Sequence, residues 1–189
     1  GVGWGPTRSV GGAAGAGSAW VSSTGELRWD HRDSAAATFT VDAPAAKVAV
    51  GYLGGRAVTL GEVTIRMDST EHGWAGIALV SLDGEPLTTT KKALLVAAGR
   101  AENTGMQWNA EQTTVGANWG EGPTRVEGIP AIVRFDGMAP FRVSALDAAG
   151  NPKAILRGEE GSGACLACGA CEDACAQWSP LMAMLRRAG

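Results

Sequence analysis

Residues 94–119, LLVAAGRAENTGMQWNAEQTTVGANW, decide how the rest of the chain is interpreted. The stretch opens with an apolar run at 93–98, whose length is typical of a buried strand. A polar segment follows directly, and it carries amide, charged and indole side chains: Arg100, Glu102, Asn103, Gln107, Trp108, Asn109, Glu111, Gln112, Asn118 and Trp119. These groups hydrogen-bond hydroxyls and cover the apolar faces of sugar rings. The same list also describes a long loop whose polar side chains satisfy its own backbone.

Short segments with a period of two residues flank this stretch on both sides. They recur roughly every ten residues with glycine or proline between them, which is typical of an all-β sandwich. We expect strands at 19–21, 26–30, 39–42, 47–53, 57–60, 63–67, 74–82, 94–98, 124–126, 129–135 and 141–146. The pair Asp83-Gly84 indicates a hairpin. The predicted fold is therefore an antiparallel β-sandwich of the immunoglobulin or jelly-roll kind.

Three segments are expected along the chain. Residues 1–18 are rich in glycine and alanine and are predicted to be flexible, residues 19–158 form the β-sandwich domain, and residues 159–189 form a tail that contains the cysteines. A short helix is predicted at 179–187. Ser179 can cap it, Pro180 suits its first position, and two arginines near its end complement the helix dipole.

The bulk properties exclude some partners. The net charge is −3 and the charges are scattered, which argues against a nucleic-acid ligand because phosphate binding requires a basic face. No apolar segment is long enough to span a bilayer, and no signal peptide is visible. Of the seven tryptophans, Trp20, Trp29 and Trp74 lie on predicted strands and are expected in the core.

The four cysteines form the sharpest formal motif of the chain. Their spacing, C-x2-C-x2-C-x3-C, is that of the bacterial ferredoxin run: Cys165, Cys168, Cys171 and Cys175. However, no second run is present, and Ala176 stands where a proline usually follows. We expect no cofactor, and keep an iron–sulfur cluster or a zinc ion as the alternative. A tail without structure or with local disulfides explains the motif equally.

Carboxylates are the second chemical possibility. Glycoside hydrolysis in its usual form needs two of them facing each other, and Glu102, which directly follows a buried strand, is the best single candidate. Glu111 is its tentative partner, with Glu121 and Glu127 in the same region. The alternative is that Arg100 and Glu102 form a structural ion pair. His31 and His72 have no partner at metal-ligand spacing, so no metal site is expected there.

Two motifs give the chain a family resemblance. GRAENTGMQWN at 99–109 and TTVGANWGEGPTRVEGIPAIVRF at 113–135 resemble the β-sandwich region that follows the catalytic barrel in a group of large bacterial glycoside hydrolases. STGELRWD at 23–30 and FTVDAPAAKVAVGYLGG at 39–55 fit the same region. The resemblance covers about residues 23–156. It implies polysaccharide breakdown, a saccharide ligand, an extracellular or periplasmic location and a barrel partner absent from this chain.

Three functional hypotheses follow. In the first, the chain is a carbohydrate-associated module, or a fragment containing one, that supports or binds saccharides through Arg100, Asn103, Gln107, Trp108, Asn109 and Trp119. In the second, it is a small glycoside hydrolase in which Glu102 and a second carboxylate, with Glu111 as the candidate, are catalytic. In the third, from a different class, it is an iron–sulfur carrier through the cysteines at 165–175.

Overall fold

The protein is described here by a computed structural model, which covers residues 19–137, 141–147, 149–156, 165–166 and 181–187. The predicted flexible segment at 1–18 lies outside the described residues. The described chain forms strands and one 3₁₀ turn at Ser34–Ala36. The strands are β1 (Trp20–Val21), β2 (Leu27–Asp30), β3 (Thr38–Ala43), β4 (Ala46–Tyr52), β5 (Arg56–Leu60), β6 (Val63–Met67), β7 (Trp74–Ser81), β8 (Lys92–Ala98), β9 (Ala101–Thr104), β10 (Glu121–Val126), β11 (Ala131–Phe135), β12 (Phe141–Leu146), β13 (Pro152–Leu156), β14 (Cys165–Leu166) and β15 (Leu181–Arg187).

These strands form three antiparallel sheets. The largest has nine strands in the order β1-β2-β3-β4-β7-β8-β15-β12-β13, and the second has four in the order β14-β11-β6-β5. The third is the pair β9 and β10. The prediction of an all-β, antiparallel fold is confirmed.

The two larger sheets share one hydrophobic core. On β7 and β8 every second residue is buried, as the period of a half-buried strand requires. The buried cluster draws from the nine-stranded sheet (Ala49, Ala75, Ile77, Leu79, Ala93, Leu95, Ala97, Val143 and Leu185) and from the four-stranded sheet and its flanks (Leu60, Val63, Ile65, Met67, Ile129, Ala131 and Val133). The two sheets therefore pack face to face as a sandwich.

The helix predicted at 179–187 is wrong for residues 181–187, which form strand β15. This strand lies between β8 and β12, with Leu185 opposite Ala93 on one side and Val143 on the other. Leu185 is fully buried. The exposed backbone edge of β8 needs hydrogen-bond partners, and this tertiary pairing overrides the local helix signals. Ser179 and Pro180 lie outside the described residues.

The predicted core positions of three tryptophans are also wrong. Trp20, Trp29 and Trp74 are 56%, 47% and 38% exposed. Trp74 precedes Ala75, which is fully buried, so alternation along the strand turns the indole outward. Trp20 pairs with Trp29 at the edge of the nine-stranded sheet, and their ring centroids are 5.9 Å apart.

The face of the nine-stranded sheet that points away from the four-stranded sheet is also apolar. Its members lie on five neighbouring strands and are all half-buried or exposed. We name this surface the outer apolar face: Leu27, Trp29, Phe39, Val41, Ala43, Ala46, Val48, Val50, Tyr52, Trp74, Gly76, Ala78, Val80, Leu94, Val96 and Ala98.

One charged side chain points into the sandwich instead. Lys47 on β4 is only 4% exposed. Its ammonium group lies 2.5 Å from Asp42 Oδ1 and 3.6 Å from Glu62 Oε2. The aliphatic stem therefore fills the end of the core, while the charge is neutralised by carboxylates from β3 and from the turn between β5 and β6.

Candidate functional site

The polar segment after β8 forms a strand and a long loop. Strand β9 pairs with β10, and residues 105–120 connect the two. Gly99, between β8 and β9, lets the chain pass close to residues 127–129. A Cβ atom there would lie 2.5 Å from Ile129 Cδ1 and 3.2 Å from the Glu127 carbonyl oxygen. The Glu127 N–H donates to the Arg100 carbonyl oxygen at 2.8 Å. This packing fixes where β9 begins and therefore where its side chains point.

An ion pair lies at the centre of the site. Arg100 Nη2 binds Glu102 Oε1, so the structural ion pair that the sequence allowed is present. Trp108 Nε1 donates to the same carboxylate oxygen at 2.7 Å. The guanidinium carbon of Arg100 lies 5.2 Å from the centroid of the Trp108 ring, within cation–π distance. The three side chains therefore hold one another in place.

Two further residues complete this cluster from other parts of the chain. Arg100 Nη1 lies 3.2 Å from His72 Nδ1 and 3.4 Å from Gln112 Oε1. Because a guanidinium can only donate, His72 Nδ1 accepts, which assigns the proton of the neutral ring to Nε2. We name these three residues, together with Glu102 and Trp108, the Arg100 cluster.

The charge state of Glu102 follows from this cluster. Partial burial raises the pKa of its carboxyl group, but hydrogen bonds from Trp108 and Arg100 and the charge of Arg100 lower it. The net result is a pKa below the ordinary value of 4.5. Glu102 is therefore ionised at neutral pH, which suits an anchor for Arg100 but not a general acid.

Two of the residues predicted to bind substrate instead hold the loop together. Asn103 Nδ2 donates to the Trp119 carbonyl oxygen at 3.0 Å, while its Oδ1 accepts from Thr124 Oγ1 at 2.6 Å. Asn109 Oδ1 accepts from the N–H groups of Thr113 and Thr114 at 2.8 and 3.2 Å. These amide side chains therefore hydrogen-bond to the loop's own backbone, as an asparagine does in an Asx turn.

Backbone geometry closes the loop next to Trp119. The Gln107 N–H donates to the Asn118 carbonyl oxygen at 3.1 Å. Gly120 has φ +66°, and a Cβ atom there would lie 2.4 Å from the Thr104 carbonyl oxygen. Only glycine accommodates both this conformation and this close approach. The two ends of the loop are therefore fixed against each other.

The indoles of the loop remain open to solvent. Trp108 is 40% exposed and Trp119 is 63% exposed. Gln107, which follows β9 in the loop, also has an exposed side chain. Trp119 is held through its carbonyl oxygen rather than through its ring. The loop thus presents two aromatic surfaces whose backbone is ordered by hydrogen bonds.

The tentative catalytic pair has separate hydrogen-bond partners. Glu111 Oε2 accepts from Asn109 Nδ2 at 2.9 Å, whereas Glu102 binds Arg100 and Trp108. In the described residues the two carboxylates share no hydrogen-bonding partner. Glu127 lies closer to the Arg100 cluster, since its Oε1 accepts from the His72 N–H at 3.4 Å.

The cysteine motif lies mostly outside the described residues. Cys165 belongs to β14, opposite Ile132 of β11, and Cys168, Cys171 and Cys175 are not described. Within the described part of the chain, no group of three histidine, cysteine, aspartate or glutamate residues is arranged to hold a metal ion. The same part of the chain contains no helix with the length and apolar character needed to cross a membrane.

His72 and Gln112 are the members of the site that sequence reasoning missed. His72 precedes β7, and β7 pairs with β8 so that Gly76 lies opposite Ala98. Continuing that antiparallel register brings residue 72 level with residue 102. The register between β7 and β8 is therefore the signal that could have placed His72 in the site. Gln112 is drawn in by its left-handed backbone, φ 54°.

Compared with models of protein families, with curated proteins and with solved structures, the chain matches none of them.

Proposed function

We propose that the chain is a non-catalytic, carbohydrate-associated β-sandwich module, of the immunoglobulin or jelly-roll kind, that binds a saccharide through Trp108 and Trp119. The observation that carries this proposal is the exposure of both indoles on a loop that hydrogen bonds of Asn103 and Asn109 hold in place. The aromatic surfaces are therefore available to a ligand. The resemblance to the region beside glycoside hydrolase barrels supplies the ligand class.

The physical argument starts from the cost of ordering. Binding is weakened by every side chain and loop that must be immobilised in the complex. Here Asn103 fixes the Trp119 backbone, and Glu102 fixes the Trp108 ring, before any ligand arrives. An indole has few rotatable bonds and a large flat surface, which suits the apolar face of a sugar ring. A preorganised pair of indoles therefore favours binding at modest entropic cost.

Polar groups beside the indoles supply the directional part of recognition. Arg100 lies over the Trp108 ring and contacts Gln112, and Gln107 is exposed one residue before Trp108. Guanidinium and amide groups bind hydroxyls with defined geometry. In this proposal Arg100, Gln107 and Gln112 contact sugar hydroxyls while Trp108 and Trp119 contact the rings.

The charge state of Glu102 favours binding over hydrolysis. A glycoside hydrolase needs one carboxylic acid that is protonated at working pH. The pKa of Glu102 is lowered and its Oε1 is occupied by Trp108 and Arg100. Glu111 is engaged with Asn109. We therefore expect that neither carboxyl group donates a proton to a leaving group.

The test is a binding panel of soluble oligosaccharides and polysaccharides, followed by tryptophan fluorescence and by affinity electrophoresis. We expect at least one saccharide to bind. Trp119→Ala and Trp108→Ala should each weaken that binding by about 1–2 kcal/mol, the usual value for an aromatic anchor. Trp20→Ala serves as the matched control, because it removes an exposed tryptophan from β1, which four strands separate from β8.

Two results would overturn the proposal. One is the absence of binding to every saccharide of the panel by folded protein. The other is binding that both loop variants retain. A parallel screen of aryl glycosides tests for hydrolysis. If the protein hydrolyses one of them and Glu102→Gln abolishes this activity, the glycoside hydrolase hypothesis replaces the binding-module proposal.

A further inference from the structure

The outer apolar face differs from the solvent-facing side of the other sheet in the same molecule. The outward positions of β6 and β11 carry Thr64, Arg66 and Arg134, as expected for a sheet with one face in water. The outer apolar face carries no charged side chain. On its side of β8 the first charged residue is Lys92, two positions beyond Leu94 and therefore at its border. A face of this composition is typical of a surface that is covered.

The outer apolar face is also ordered by side-chain size. Its aromatic residues form two cross-strand pairs: Trp29 lies opposite Phe39 on β2 and β3, and Tyr52 lies opposite Trp74 on β4 and β7. Small residues lie on β7 and β8 (Gly76, Ala78 and Ala98) and where β3 meets β4 (Ala43 and Ala46). Strand β4 lies midway between β2 and β8. In the sheet register, the row that contains Trp29 and Phe39 continues across β4 to Gly76 and Ala98.

We propose that the outer apolar face is the contact surface between two copies of this chain. A two-fold axis running along β4, between the two sheets, places Trp29 and Phe39 of each copy on Ala98 and Gly76 of the other. Such a contact is isologous and closed. Because the face carries no charge, two identical copies do not repel each other across it. The net charge of −3 per chain adds little repulsion between the copies.

The area of the face agrees with this assignment. Five strands about 4.8 Å apart, with outward residues about 7 Å apart along each strand, give a face of roughly 600 Å². Two copies then bury about 1,200 Å², which reaches the lower end of stable protein interfaces. Two sheets that pack in this way lie about 10 Å apart with their strands rotated by about 30°.

The test is sedimentation equilibrium of the full chain across the micromolar range, with a reductant present so that no cysteine cross-links contribute. We expect a dimer. Val48→Glu introduces a carboxylate next to the two-fold axis of each copy, and should raise the dissociation constant by about 100-fold. Ile132→Glu makes the same kind of change on the outward side of β11, opposite Arg66, and should leave the dimer intact.

Two outcomes would overturn the proposal: a monomer at every concentration, or a dimer that Val48→Glu does not weaken. Circular dichroism and thermal unfolding establish that each variant is folded. If Val48→Glu does not fold, Ala78→Glu takes its place, because residue 78 lies opposite residue 48 on the same face. This outcome is independent of saccharide binding, since Trp108 and Trp119 lie outside the outer apolar face.

Discussion

Trp108 Nε1 donates to Glu102 Oε1 at 2.7 Å, and Arg100 binds that same oxygen. One carboxylate oxygen therefore positions both an exposed indole and the guanidinium next to it. The consequence is that Glu102 contributes to the shape of the loop, while the lowered pKa of its carboxyl group does not suit acid catalysis. The stability and the binding properties of the loop should respond together when this carboxylate is changed.

Glu102→Gln tests this coupling. The amide keeps the shape of the side chain but loses the ion pair with Arg100, so we expect the free energy of unfolding to fall by about 1–2 kcal/mol. Saccharide binding should weaken as well, because a neutral amide oxygen is a weaker acceptor for Trp108 and no longer forms an ion pair with Arg100. Chemical denaturation and the binding panel measure the two effects. The matched control is Glu111→Gln, which loses only a contact with Asn109 on the loop surface; an equal effect of both variants would contradict the assigned role.

The same group predicts a pH dependence. The pKa of Glu102 is lowered in the folded chain, so the stabilisation is fully present above the ordinary value of 4.5 and is lost as the pH falls below it, through the folded pKa. The parent and Glu102→Gln differ in their free energy of unfolding at neutral pH. This difference should shrink as the pH falls below about 5 and should approach zero once Glu102 is protonated in the folded chain. Denaturation curves at several pH values give this difference. A constant difference across that range would contradict the prediction.

Lys47 tests the value of a buried ion pair. Replacing it by methionine keeps the apolar stem and removes the charge, so we expect Lys47→Met to change the free energy of unfolding by less than about 1 kcal/mol. Asp42→Ala leaves the buried ammonium with only the more distant Glu62, and should cost about 1–3 kcal/mol. Urea unfolding of both variants checks the order. A larger loss for Lys47→Met than for Asp42→Ala would show that the charge itself stabilises the fold.

Gly51 tests a close approach in the nine-stranded sheet. Its φ is +129°, and a Cβ atom would lie 2.2 Å from the Ala37 carbonyl oxygen. Gly51→Ala should therefore reduce the free energy of unfolding by more than about 2 kcal/mol. Gly128→Ala is the matched control, because its Cβ would meet open space at an ordinary φ. Thermal unfolding compares the two, and similar melting temperatures would refute the close contact.

The strand pattern could be predicted from the sequence because the inward residues alternate along β4, β7 and β8. The period of two residues is a local property, and it survives in the structure wherever one side faces the core. The helix prediction for the tail was wrong for the converse reason. Pro180 and the arginines at 186–187 are local helix signals, while the pairing of β15 with β8 joins residues far apart in sequence. Local signals carry no information about such a partner.

The candidate site was predicted in part. Its central stretch was found because Arg100, Glu102 and Trp108 lie close together in sequence. His72 was not found because it lies 28 positions from Arg100 in the sequence, and only the register between β7 and β8 brings the two together. That register, set by the connection at residues 82–91, places residue 72 level with residue 102. The tryptophans at 20, 29 and 74 misled for another reason: large apolar residues usually lie inside, but here one sheet has two apolar sides.

The position of β15 has a consequence for any shortened form of the protein. Leu185 is opposite Ala93, so the central part of the large sheet is completed by a segment 92 positions further along the chain. Without residues 181–187, β8 and β12 would each offer a row of unsatisfied N–H and C=O groups in the middle of the sheet. Bare strand edges recruit strands from neighbouring molecules. A truncated product is therefore expected to aggregate in an inclusion body rather than to behave as a smaller version of the same domain.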